Sequence, residues 1–200
     1  MKKWMKYIIF SIIAILFCYS YAHVDKTHNI YDAETDSSAY SAVNLEKKSL
    51  VSQSFECSEE NIDGVAAKIV VNSVTEDGKL TYLLKNNEGQ EVIKGEVPIC
   101  DIKSGRINKI KFDEGLDDCK GKTYTIIFGS LGLEEGESIG VYYDSLGKQM
   151  GELKNNEEKI EGTMILRTIT HRFDMETFIV TLGFLFYFVG FFHILYKLFS

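Results

Sequence analysis

Two apolar blocks sit near the ends of the chain, and short alternating patterns lie between them. Tyr7 to Cys18 is apolar at every position but Ser11 and follows Lys2, Lys3 and Lys6, the basic-then-apolar order of a secretion signal. Ser20-Tyr21-Ala22 puts small residues at the minus-three and minus-one positions of a cleavage after Ala22, which makes residues 1–22 a signal peptide. Trp4 to Ala22 also approaches the length of about 20 apolar residues that a retained anchor helix needs, so cleavage and retention both stand. Thr177 to Tyr196 carries no formally charged residue over twenty positions. At about 1.5 Å per residue it covers a hydrocarbon core of roughly 30 Å. It is predicted to be a transmembrane helix, bordered by Arg172, Asp174 and Glu176 on one side and by a short tail, 197–200, on the other.

Residues 23–49 are polar and lack sustained periodicity, and are predicted as a juxtamembrane spacer. From Leu50 the pattern changes to period two, with Val51, Gln53, Phe55 and Cys57 on one face, then Val65, Ala67, Ile69 and Val71. A turn at Glu76-Asp77-Gly78-Lys79 leads to Leu80, Tyr82 and Leu84. Further strands are predicted at 92–99, 106–112, 123–128, 139–143 and 163–169, separated by turns such as Asp113-Glu114-Gly115 and Leu146-Gly147-Lys148. Short strands in series with no long amphipathic helix predict an all-β chain, an antiparallel β-sandwich over residues 50–170.

Charge then sets the expected topology. Lysines at the N-terminus favour the cytoplasmic side, which sends the centre of the chain outside and returns the C-terminus to the cytoplasm, at a cell membrane. Residues 23–172 hold 18 Lys+Arg against 27 Asp+Glu, a net charge of −9, which argues against nucleic acid as a partner and against the domain lying flat on anionic lipid. Cys57, Cys100 and Cys119 fall in the exported part, so one disulfide and one free thiol can form there, with the pairing left open.

The strand Val51-Ser52-Gln53-Ser54-Phe55, the strand Gly64 to Val71, Gly78-Lys79-Leu80 running into Leu84-Lys85-Asn86, and Cys119 to Phe128 occur in an order that resembles a family. They are similar to the jelly-roll ectodomains, like carbohydrate-binding modules, of membrane-bound bacterial proteins associated with cell-surface polysaccharide and glycosyltransferases. The similarity covers roughly residues 50–145 and implies a jelly-roll topology and a glycan or polysaccharide machinery as partner. No catalytic residue is carried over, because a single helix follows the domain here.

No zinc-ligand spacing, nucleophile elbow, phosphate loop or dinucleotide fingerprint is present in the sequence, and no catalysis is expected. An envelope glycan-acting enzyme remains an alternative, since paired carboxylates on distant strands leave no local motif. For a glycan, strand-borne tyrosines are the candidates: Tyr82 and Tyr124 are expected in the core, while Tyr142 and Tyr143 point to opposite faces and are the predicted ligand contacts. Asp113, Asp117 and Asp118 crowd one turn and are the candidate ligands of a structural calcium, the only cofactor considered. In the C-terminal helix Gly183, Gly190 and His193 share roughly one face, where small residues permit close approach of a membrane protein partner. The chain therefore reads as a tethered binding or accessory protein, or as a small structural subunit capping a larger membrane complex.

Overall fold

A computed structural model describes residues 3–72 and 77–199 of the chain; Met1 and Lys2 of the basic segment, Glu76 of the predicted turn and Ser200 lie outside the described residues. The chain divides into two compact units, residues 27–170 and a second formed by residues 1–26 with 171–200. In order, the elements are α1 Lys3–Tyr21, β1 His23–Asn29, β2 Tyr40–Leu45, β3 Leu50–Glu56, β4 Ile62–Asn72, β5 Lys79–Asn86 and β6 Glu91–Pro98. They continue with β7 Arg106–Leu116, β8 Thr123–Leu131, β9 Ser138–Asp144, β10 Leu153–Asn155, β11 Glu158–Ile160, β12 Thr163–Met164, β13 Leu166–Phe173 and α2 Met175–Phe199.

The strands form two antiparallel sheets. One runs β1-β13-β4-β9-β12, with β7 on the outer side of β4 and β2 on β9; the other runs β11-β10-β3-β8-β5-β6. Alternation explains why they close on one core. Val51 and Phe55 of β3, Leu80, Tyr82 and Leu84 of β5, and Tyr124, Ile126 and Phe128 of β8 are buried from one sheet. Val65, Ala67 and Ile69 of β4, Ile110 and Phe112 of β7, and Ile139 and Val141 of β9 meet them from the other, in a single cluster. Each fully buried aliphatic or Phe side chain in such a cluster is worth about 1.5–3 kcal/mol relative to exposure. Tyr82 stacks on Phe112 with ring centroids 5.7 Å apart, and Tyr124 lies 6.2 Å from Phe55, so both tyrosines are core residues as expected.

The predicted strand at 163–169 is two strands with a hinge residue. Leu166–Ile169 pair with Gly64–Ala67 of β4, while Thr163 and Met164 pair with Asp144 and Tyr143 of β9. Between them Ile165 donates its N–H to Tyr142 O at 2.8 Å and accepts from Lys68 N at 3.1 Å. The segment thus wedges between β4 and β9, which pair directly only over Ile69–Asn72.

The polar spacer expected over 23–49 is corrected by two strands. β2 pairs with β9 from Tyr40↔Asp144 to Leu45↔Ile139. Only Val43 and Leu45 of β2 are buried, so backbone pairing rather than an apolar pattern brings it into the sheet. The β10–β11 hairpin has no counterpart among the predicted strands. Its turn is made by Asn156, at φ 53°, a left-handed conformation that Asn tolerates. Asn156 Oδ1 accepts the Leu50 N–H at 2.8 Å, tying the turn to β3.

In the second unit α1 and α2 pack against each other. Ala14 and Cys18 of α1 and the following Ala22, four residues apart in turn, are buried. Asp174 opens α2 as its cap: its carbonyl accepts from Phe178 N at 2.9 Å, its backbone N–H donates to Ala22 O at 2.8 Å, and its carboxylate accepts from Thr177 Oγ1. Lys26 Nζ lies 2.9 Å from the same carboxylate. These partners, the Thr177 hydroxyl first and then Lys26, hold the Asp174 carboxyl down to about 2. No residue of α2 is buried, and Ile179, Val180, Phe184, Phe186 and Phe192 are exposed along it. The helix is long and apolar enough to cross a membrane.

Candidate binding face

The register of the first sheet decides which side chains share its outer face. On β9, Ile139 and Val141 point into the core, so Tyr142 points out. On β4, Ala67 and Ile69 point in, so Lys68 points out. Tyr40 of β2 stands opposite Asp144 of β9, on the same side as Tyr142. The result places Lys68 Nζ 5.1 Å from the Tyr40 ring centroid and 4.8 Å from that of Tyr142, a cation between two aromatic faces.

The row continues toward β13. Tyr31, in the loop that follows β1, meets Tyr40 edge to face with centroids 6.3 Å apart. Arg167 of β13 donates from Nη2 to the Tyr31 hydroxyl at 2.9 Å, with its guanidinium carbon 5.9 Å from that ring. Arg167 Nε is buried and has no hydrogen-bond partner among the described residues. Burial pushes the Tyr40 phenol up, and neighbouring Tyr31 and Asp144 push it further, so it stays a neutral hydroxyl near pH 7.

Asp144 underlies this face. It is 1% exposed, and its Oδ1 accepts from Leu146 N at 2.9 Å and Gly147 N at 3.0 Å. Burial acts to raise its carboxyl, but the neighbouring Thr35 hydroxyl and the hydrogen bonds from Leu146 and Gly147 outweigh burial and hold it below the ordinary carboxylate range. The face therefore offers the half-buried Tyr40 and Tyr142 rings, an ammonium and a guanidinium, supported by the buried Tyr31 and a buried carboxylate. Such a set stacks on sugar rings and hydrogen-bonds hydroxyl, carboxylate or phosphate groups.

The sequence-predicted residues separate. Tyr142 belongs to this face, whereas Tyr143 packs against the core. Sequence alone missed Tyr31, Tyr40, Lys68 and Arg167; the first two fall in the supposed spacer, and only cross-strand register joins them to Tyr142. Asp113, Asp117 and Asp118 do not assemble: among the described residues no group of three or more His, Cys, Asp or Glu is arranged to hold a metal ion. Asp118 instead pairs with Lys122 at 3.6 Å. On α2, Gly183, Gly190 and His193 are exposed, and a Cβ added at either glycine would meet nothing within 4 Å. The half-buried residues Phe178, Thr181, Leu182 and Leu185 mark another side of that helix. Elsewhere on the domain, Glu46, Glu134, Glu135 and Glu137 line an open acidic cleft of about 220 Å³ with Lys47.

No protein-family model and no curated protein matches the chain. Among solved structures, it is similar to the VP2 subviral particle of infectious bursal disease virus, with 10% identity and a TM-score of 0.30 over 73% of this chain. A second match, to infectious bursal disease virus of the Gx strain, has 10% identity and a TM-score of 0.28 over 81% of the chain. The chain spans 40% and 47% of those two proteins. At these scores the likeness carries no conclusion about fold or role.

Proposed function

We propose that this protein is a membrane-tethered binding protein of the bacterial cell envelope: a β-sandwich of jelly-roll type, displayed outside the cell, that engages a surface glycan or the machinery making it. It works by binding, not by catalysis. The row Arg167–Tyr31–Tyr40–Lys68–Tyr142 carries this reading, because it sets two cations beside the half-buried Tyr40 and Tyr142 rings, with the buried loop residue Tyr31 joining Arg167 to Tyr40. On a domain of net charge −9, that local chemistry favours a glycan bearing acidic groups. The exposed apolar length of α2 supports the tether, with the basic N-terminal segment setting the orientation.

The test is retention of purified surface polysaccharides, neutral and acidic, by the full-length protein in mild detergent, with identification of whatever co-purifies from its own membranes. Retention of an acidic glycan that is lost in Lys68→Met supports the proposal. A lone monomer that retains no glycan removes it. External protease on intact cells should digest the β-domain, and alkaline washing should leave the protein in the membrane pellet.

A second reading, a small subunit capping a larger membrane complex, is favoured by the open Gly183/Gly190 face of α2. Under that reading Gly183→Leu with Gly190→Leu releases a co-purifying membrane protein, whereas unchanged co-purification assigns the helix to anchoring.

A further inference from the structure

Cys57 follows β3 and Cys119 precedes β8, and the backbone fastens the two segments together on both sides of the sulfurs. Cys57 N donates to Lys122 O at 2.9 Å, Gly121 N to Cys57 O at 2.7 Å, and Cys119 N to Glu60 O at 2.8 Å. Both side chains are buried in the same core cluster, at 1% and 0% exposure. Each thiol also reaches a backbone carbonyl, Cys57 Sγ to Glu59 O and Cys119 Sγ to Leu116 O, both at 3.2 Å. Cys100 is exposed, on the short 3-10 turn Ile99–Asp101.

We propose that Cys57 and Cys119 are the disulfide-forming pair of this domain and that Cys100 remains a free thiol. The step needs an oxidised thiol carrier, a protein or small-molecule disulfide. One cysteine thiolate attacks the carrier disulfide and releases one carrier thiol; the second cysteine then attacks the mixed disulfide and releases the other. One S–S bond forms in the domain, one breaks in the carrier, and two electrons and two protons leave with the two carrier thiols.

The burial of the pair also fixes when this happens. Burial raises the Cys57 thiol above its ordinary range, with the Glu59 contact opposing and Cys119 adding to the rise. A folded, buried thiol is thus a poor nucleophile, and oxidation has to precede closure of the sheets. Once formed, the bond is shielded from small reductants. This inference rests on the proposed location outside the cytoplasm, where oxidants are available.

The test has two arms, both on the full chain. In the first, protein reduced in denaturant is refolded in detergent with oxidised glutathione, then alkylated under denaturing conditions and mapped by mass spectrometry. The expected result is a Cys57–Cys119 peptide two hydrogens lighter than the reduced pair, with Cys100 alkylated and the same bond in Cys100→Ser. Free Cys57 and Cys119, or either one joined to Cys100, overturns the pairing. Reducing the bond should lower the melting temperature by roughly 10 °C, through the long loop it closes. The second arm maps cysteines in native membranes, where the same linked peptide is expected. Thiols free there but linked on refolding uphold the pairing and overturn the outside location.

Discussion

Gln53 of one sheet holds Met164 of the other: its side-chain Oε1 accepts the Met164 backbone N–H at 2.9 Å. Its Nε2 donates to Met150 O at 2.9 Å and Ser54 O at 2.8 Å, so a fully buried amide is satisfied at both ends. Gln53→Leu keeps the volume but strands the Met164 N–H and the Met150 carbonyl, and should cost about 2–4 kcal/mol in chemical denaturation of the full-length protein in detergent. A loss below about 1 kcal/mol would mean that water replaces the amide.

Gly151 sits beside this amide at φ 87°, and a Cβ there would collide with Ser54 O. Gly89 has a similar φ of 79° with nothing within 4 Å. The comparison separates backbone strain from collision. Gly89→Ala should cost about 1 kcal/mol, the ordinary left-handed penalty. Gly151→Ala should cost about 3 kcal/mol or more, because the loop must move away from β3. Equal melting temperatures for the two variants would refute the steric account.

The core strands were legible because their side chains alternate: Val51, Gln53 and Phe55 announce β3, and Leu80, Tyr82 and Leu84 announce β5. Even the inward position of Gln53 could be read, although its partners Met150 and Met164 are distant in sequence and could not. β2 was illegible for the opposite reason. It joins the sheet through backbone pairing to β9, and its outward Tyr40 and Ala42 leave only two buried positions in a polar stretch. The binding face inherits that difficulty: strand parity says only that Tyr142 and Tyr143 point to opposite faces, and the neighbours of Tyr142 come from β2, β4 and β13, where their meeting depends on register. In the acidic turn Asp113, Asp117 and Asp118 are close in sequence, yet among the described residues no group of three or more such side chains is arranged to hold a metal ion.

Tyr142 and Tyr143 provide a paired test of the face. Tyr143 packs against the core, so Tyr143→Ala should cost about 3 kcal/mol, within the range for aromatic truncation. Tyr142→Ala removes one ring from Lys68 and should cost about 1 kcal/mol or less in stability. It should nevertheless abolish glycan retention in the binding assay. Retention unchanged in Tyr142→Ala, with a well-folded protein by denaturation, would move the binding site elsewhere.

Asp144 gives the domain an acid-sensitive element beneath the same face. Its carboxyl is held below the ordinary value of 3.8 in the folded protein, so the folded state binds that proton less tightly than the unfolded chain. The resulting stabilisation is fully present above about pH 5 and is lost progressively as pH falls through and below about 4. Asp144→Asn keeps an oxygen to accept from Leu146 and Gly147 but removes the charge. The variant should be less stable than the wild-type chain by about 1–2 kcal/mol near pH 7, the excess of a charged over a neutral acceptor. That gap should narrow when denaturation is repeated toward pH 3, since protonation then removes the same charge from the wild type. A gap independent of pH would show that Asp144 acts through its shape alone and that its hydrogen bonds do not favour the carboxylate.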